Sequence, residues 1–241
     1  MTGFGYNING FGSFTSRGVR ELAFHGYDAA ADDITTFTDA PIGDAHADRF
    51  VIVAVTANAS SGPSSDVGVG IASITIGGST ATVAAEHVLT AGNGYLPFSQ
   101  IAYLKVPSGT TATVVTTGDN TTLLLTIAVY SVVSPTGNIF VTASDETTAA
   151  DATNTTLPFA ALTTTSDGFV VACAQSRNGF TMSSSNMTED WEIELNSNEW
   201  GGAYSALTTG ADFTPNITRG AGTLTRAEDW TGVAASFSWT E

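Results

Sequence analysis

The sequence predicts an all-β protein, a β-sandwich of jelly-roll type, and three observations carry that expectation. Short apolar, β-branched runs recur along the chain: Phe50–Val55 (FVIVAV), Ile101–Val106 (IAYLKV), Thr122–Val133 (TLLLTIAVYSVV with its flanking Thr) and Phe169–Ala174 (FVVACA). Runs of small and hydroxyl residues separate them, such as Ala59–Asp66 (ASSGPSSD) and Pro107–Thr111 (PSGTT). No stretch keeps the amphipathic period of a helix for three turns. Many short strands with turns at this spacing describe a sandwich or jelly roll.

The elements follow in order. Met1–Gly18 (MTGFGYNINGFGSFTSRG) alternates Gly with Phe, Tyr and Asn and holds no strand or helix period. It reads as an arm that docks on a neighbour or folds back on the body, with Phe4, Tyr6, Phe11 and Phe14 as its anchors. The competing reading is a flexible tail, for which Ser and Gly without aromatics would suffice. Val19–Ala31 reads as a lead-in strand and loop. From there the spacing predicts strands at Ile34–Thr38, Arg49–Thr56, Ile71–Ile76, Ser79–Ala84, Ile101–Val106, Ala112–Thr117, Leu123–Val133, Phe140–Ser144, Phe159–Thr163, Gly168–Gln175, Glu192–Asn196, Gly202–Leu207 and Gly232–Trp239.

The Gly77–Gly78 pair and Gly118-Asp-Asn120 mark tight turns, because glycine takes the positive φ that hairpins need. Pro107, Pro135 and Pro158 fall at strand ends, where a missing N–H does least harm. The expected organisation is an N-terminal arm and lead-in strand over residues 1–33 and a single β-sandwich domain over residues 34–241. Thr188-Glu-Asp-Trp191 and Ala227-Glu-Asp-Trp230 echo each other, but two short copies do not make a repeat array.

Charge narrows the function classes. The chain has 7 Lys and Arg against 23 Asp and Glu, net -16, and Lys105 is its only lysine. Phosphate backbones and anionic membranes need clustered cations, and Arg17 with Arg20 is the nearest approach to a cluster. Nucleic-acid and membrane partners are therefore not expected. Cys173, the sole cysteine, lies in an apolar run and reads as a buried inert thiol. The start at Met1 lacks a charged and apolar leader, which predicts a cytoplasmically made protein whose five Asn-x-Ser/Thr sequons carry no glycan.

Catalytic constellations are not evident. No G-x-S-x-G elbow occurs, and His25, His46 and His87 lack metal-binding spacing. Gly68–Ser73 (GVGIAS) runs into a strand, so it cannot cradle a phosphate as a dinucleotide fingerprint would. Glu189/Asp190 and Glu228/Asp229 stand beside tryptophans, but neighbours on a strand face opposite ways, so each pair offers one inward carboxylate at most. Six aspartates between Asp28 and Asp48 lack an EF-hand pattern and read as solvated loop acids rather than a calcium site. No cofactor and no metal are expected. A carbohydrate platform would draw on Trp191, Trp200 or Trp230, against core packing for each of them.

Six segments carry a resemblance: Ala47–Val55 (ADRFVIVAV), Ile74–Ala81 (ITIGGSTA), Ile101–Thr111 (IAYLKVPSGTT), Thr126–Val133 (TIAVYSVV), Ser166–Val171 (SDGFVV) and Thr188–Trp191 (TEDW). In this order they resemble a family of tailed-phage and prophage β-sandwich virion structural proteins. The resemblance covers most of the chain after the arm and implies no catalytic residues. It implies a non-enzymatic virion protein, with a capsid decoration or cement role as the expectation. The implied partners are the major capsid protein or other virion proteins, and copies of this chain in a homo-oligomer such as a trimer. The alternative is a tail- or baseplate-associated adhesin that binds a host glycan through its loops.

Overall fold

A computed structural model of the chain describes residues 22–31, 34–59, 70–87, 97–118, 123–149, 152–177, 180–196, 199–224 and 230–239. The anchors Phe4, Tyr6, Phe11 and Phe14 lie outside the described residues, as do Glu228 and Asp229. The described residues form antiparallel strands and no helix.

The first nine strands are β1 (Ala23–Ala31), β2 (Ile34–Pro41), β3 (Arg49–Ala59), β4 (Ile71–Ile76), β5 (Ser79–Thr80), β6 (Thr82–His87), β7 (Pro97–Lys105), β8 (Thr111–Gly118) and β9 (Leu123–Val133). They build two sheets: a central one in the order β1-β9-β3-β7-β6 and an outer one in the order β2-β8-β4-β5. The remaining seven are β10 (Phe140–Thr148), β11 (Ser166–Arg177), β12 (Met182–Ser184), β13 (Thr188–Asn196), β14 (Glu199–Thr209), β15 (Ile217–Arg219) and β16 (Trp230–Ser238). They form a C-terminal sheet, β10-β16-β11-β14-β13, and a small ribbon, β12-β15.

The layers stack with three cores between them. Because side chains alternate along a strand, β3 sends Val51, Val53 and Val55 toward the outer sheet. It sends Phe50, Ile52 and Ala54 toward the C-terminal sheet. On β11, Phe169, Val171 and Cys173 join that middle core, while Val170, Ala172 and Ala174 face a third core under the ribbon. Strands buried on both faces read as unbroken apolar runs, as FVIVAV and FVVACA do. The lead-in residues Ala23–Ala31 are the edge strand of the central sheet, paired along β9.

The two halves repeat one topology. The strands β10, β16, β11, β14 and β13 stand in the places of β1, β9, β3, β7 and β6. The small ribbon follows suit: Thr156 bridges Thr218 of β15, which pairs with β12, as β2 pairs with β8 and β8 with β4. Register irregularities recur too. The β6–β7 ladder shifts between Val83 and Ala85, and the β13–β14 ladder between Glu189 and Trp191. Asp48-Arg-Phe-Val-Ile52 and Asp167-Gly-Phe-Val-Val171 open the equivalent strands β3 and β11.

Two expected strands differ. Ser79–Ala84 breaks at Ala81, whose N–H donates to Ile74 O at 2.9 Å; there the chain leaves the outer sheet for the central one. Phe159–Thr163 is no strand but a covering segment, tied by one bridge from Leu162 to Phe213. Phe159 and Leu162 both enter the third core. Residues three apart on a strand would face opposite sides, so the sequence there cannot bury both as a strand.

Each half also locks one arginine inside. Arg49 donates to four backbone carbonyls, those of Val106, Gly43, Asp44 and Ser108, at 2.6–2.8 Å. Arg219 donates to Gly220 O, Gly222 O and Ala152 O at 3.1–3.3 Å and lies over the rings of Phe180 and Trp230. Neither draws on a carboxylate in these contacts; both staple loops, and both are withdrawn from the surface.

Candidate functional site

The three tryptophans fall in two different cores. Trp191, on β13, is 5% exposed and belongs to the middle core. Trp230 opens β16 fully buried in the third core, and Trp200 packs half-buried against the same core from β14. Trp200 and Trp230 flank Ser176 in the ladder, so they share a face that the ribbon and its connecting segments cover. The structure does not bring the three indoles onto one surface, and Trp230 offers no open ring face.

What distinguishes the surface is the pair of seams where edge strands of the central and C-terminal sheets meet. One is β1 against β13, the other β6 against β10. A row of paired residues runs across each sheet: Tyr27–Ala128–Ala54–Ile101–Ala85 in the central one, Glu146–Val233–Cys173–Ala203–Trp191 in the C-terminal one. The rows pack in opposite senses, so Tyr27 meets Trp191 at one seam and Ala85 faces Glu146 at the other.

The first seam is closed. Tyr27 stacks on Trp191 with ring centroids 5.2 Å apart and planes 17° from parallel. Behind the stack, Tyr130 donates its hydroxyl to Asp190 Oδ2 at 2.9 Å, and Phe24 packs on the Tyr130 ring at 5.4 Å. Asp190 is thus the inward member of its carboxylate pair, and burial raises its pKa against the hydrogen bonds from Ser205 and Tyr130 that lower it. Burial, reinforced by Asp190, pushes the Tyr130 hydroxyl well up, so it stays a donor.

The second seam is open. A groove of about 510 Å³ runs there between Val83–Glu86 on β6 and Ser144–Glu146 on β10. Three acidic residues flank it: Glu146 is on the face turned to the central sheet, while its neighbour Asp145, and Glu86 beside Ala85, project to the other faces of their sheets. Glu86 accepts from Gln100 Nε2 at 3.0 Å, Asp145 from Ala160 N at 2.7 Å, and Glu146 meets His87 Nδ1 at 3.3 Å. Burial lowers the His87 pKa more than Glu146 raises it, so the imidazole does not cancel the acidic charge at neutral pH. Val83 is 45% exposed beside them, an apolar wall in an acidic trough.

Two further features sit elsewhere. At one pole of the middle core, Thr56 and Thr126 share a hydroxyl hydrogen bond of 2.8 Å, and the buried amides of Asn58 and Gln175 have no hydrogen-bond partner among the described residues. A smaller cleft of about 230 Å³ lies between β1 and β2, lined by His25, Asp28 and Asp39 among others. Asp39 has φ 56°, a left-handed conformation that non-glycine residues rarely adopt, at the irregularity in β2. His25 meets Ser131 Oγ at 2.6 Å, and its pKa is lowered by burial and by Arg49, against Asp44.

For the other sequence candidates the geometry is plain. Cys173 is fully buried, its thiol pushed far up by desolvation, and its Sγ–H points at Val55 O. Among the described residues, no three His, Cys, Asp or Glu side chains gather closely enough to hold a metal ion. Sequence reasoning missed the acidic groove. Its residues come from Thr82–His87 and Phe140–Thr148, strands almost sixty residues apart that only packing brings together. The chain matches no family model, and neither a curated protein nor a solved structure is similar to it.

Proposed function

We propose that this chain is a phage virion structural protein without enzymatic activity, a capsid decoration or cement protein attached through its N-terminal arm, Met1–Gly18. On this reading each half of the body is a jelly roll. One observation supports it: the strand orders β1-β9-β3-β7 and β2-β8-β4-β5 are those expected of two Greek keys folded on each other, and the second half repeats the first order in full and the second as a ribbon and a bridge. Jelly rolls serve viral capsid and lectin domains, so this is an argument from architecture. It is supported by the acidic surface, which suits a soluble, outward-facing shell component.

Attachment would come from Phe4, Tyr6, Phe11 and Phe14 burying themselves in the major capsid protein or another virion protein. A fully buried Phe contributes roughly 1.5–3 kcal/mol before ordering costs. Copies joined in a homo-oligomer such as a trimer would add multivalency to that modest contact. The protein would be assembled in the host cytoplasm and reside in the virion.

The test is gold-labelled antibody on intact particles, with the arm deletion Δ1–18 alongside. Label over the head that disappears with the deletion is the expected result. Label confined to the tail would replace the cement role with the glycan-binding adhesin, and no label on any particle would overturn the virion assignment.

A further inference from the structure

We propose that the two halves are joined inside the middle core by bound water, held between Asn58 and Gln175 beside the Thr56–Thr126 pair. The register puts polar residues at one level of both facing sheets. Across the central sheet the row is Thr126–Thr56–Ser99, and across the C-terminal sheet it is Thr231–Gln175–Gly201. Thr56 and Gln175 are equivalent positions of the repeat, each eight residues after the matched aspartates Asp48 and Asp167. Two residues beyond Ala54 and Cys173, which belong to the middle core, they point into it, and Asn58 follows on the same face of β3. Gly201 lets the halves meet there. A Cβ on it would collide with Thr56 Oγ1 and stand 3.1 Å from Gln175 Oε1 and 3.3 Å from Thr126 Oγ1. The missing side chain thus brings the hydroxyls of one half up to the amide of the other.

Asn58, Ser99 and Gln175 are fully buried. Among the described residues, both polar atoms of each amide and the Ser99 hydroxyl have no hydrogen-bond partner. Thr56 and Thr126 share a single bond of 2.8 Å. Unbonded amides in a core are costly, and native proteins satisfy them with protein groups or with ordered water. At the opposite pole protein groups suffice: Arg49 and the Trp239 indole N–H donate to backbone carbonyls. At this pole the chemistry of the set chooses the ligand. The amide nitrogens need acceptors and the amide oxygens need donors. A metal cation would serve the oxygens alone, and an anion the N–H groups alone. None of these five side chains carries a charge to balance either. Water donates and accepts at once, and it bridges polar atoms too far apart to bond directly. Its partners here are β3 of the first half and β11 of the second, so it links strands that the repeat makes equivalent. This inference does not rest on the virion reading.

Oxygen-17 relaxation dispersion of the solvent tests it, because it counts water molecules that stay bound inside a protein. The comparison is between the full-length wild type and Asn58→Leu/Gln175→Met, which removes both amides at similar side-chain volume. With circular dichroism unchanged, the long-lived signal should fall by about one to three water molecules in the variant. A signal of the same size in both proteins would overturn the proposal. A crystal structure of the wild type, at a resolution that shows ordered water, gives a second reading that needs no variant to fold. Density is expected at about 2.7–3.2 Å from an amide atom of Asn58 or Gln175 and from at least one further polar atom. The two amides bonded directly to each other, a core with no density beside them, or density that refines as an ion would each overturn it.

Discussion

The N-terminal and C-terminal halves follow one strand order, yet they finish their outer layers differently. In the first half, β2, β8 and β4 form an extended sheet, and core residues such as Phe37, Ile74, Ile76 and Val114 are spaced along it. In the second half the equivalent layer shrinks to two three-residue strands and a bridge. Large side chains from connecting segments take over the burial: Leu157, Phe159, Leu162, Met187 and Leu224, with Trp230 beneath them. The difference teaches that strand pairing and bulge positions define the topology, while the means of covering the core is interchangeable. Where side chains do the work of a sheet, each one matters more.

The largest test of this contrast is Trp230→Ala. Removing a fully buried indole should cost about 3–5 kcal/mol, and among the described residues the second half has only a two-stranded ribbon to close over the cavity. Because the middle core joins both halves, calorimetry should show one lowered transition; two separated transitions would mean that the halves unfold independently.

Next come the arginine staples. Arg49→Met removes the buried guanidinium that ties four loop carbonyls together by short bonds and should cost about 3 kcal/mol, whereas Arg219→Met, with three longer bonds, should cost less. Chemical denaturation of both variants orders them, and the reverse ranking would show that the ring contacts of Arg219 dominate.

The seams give a smaller effect. Tyr27 is 51% exposed, so Tyr27→Ala loses part of its burial and the ring stack, about 1–2 kcal/mol together. It should also open the first seam, so that amide exchange along β1 speeds up toward that of the β6 edge.

The smallest effect is a pH dependence. His25 has a folded pKa below its ordinary 6.5, chiefly through burial. The unfolded chain therefore binds that proton more readily, and the stability held by neutral His25 is present above 6.5 and lost as pH falls through the folded value. Thermal melts at about pH 8 and about pH 5.5 should show the wild type losing more than His25→Gln between the two.

The strand content was legible because burial on both faces writes itself as continuous β-branched runs: FVIVAV and FVVACA declare β3 and β11 without any neighbour. The repeat was not. Its sequence trace is the short match of Asp48–Ile52 with Asp167–Val171, while equivalent positions such as Ala85 and Trp191, or Tyr27 and Glu146, share no chemistry. The Glu-Asp-Trp echo that does catch the eye joins β13 to β16, strands that are not equivalent. For the tryptophans, residue type suggested a ligand platform, but Trp230 at the start of a doubly buried strand had no exit to solvent. Short strands such as Met182–Ser184 and Ile217–Arg219 carry too few residues to show a period of two.

By itself, then, the amino-acid order determined an all-β chain, acidic and poor in cations, with an aromatic segment at its start and strand positions dictated by hydrophobic periodicity. Those are properties of local spacing and composition, which need no partner to be read. The tertiary structure alone decided that the halves repeat, that one seam is closed by Tyr27 and Trp191, and that Glu86, Asp145 and Glu146 flank a groove along the other. These depend on register and sheet-to-sheet packing, where residues far apart in sequence meet and a single bulge chooses which side chain faces which.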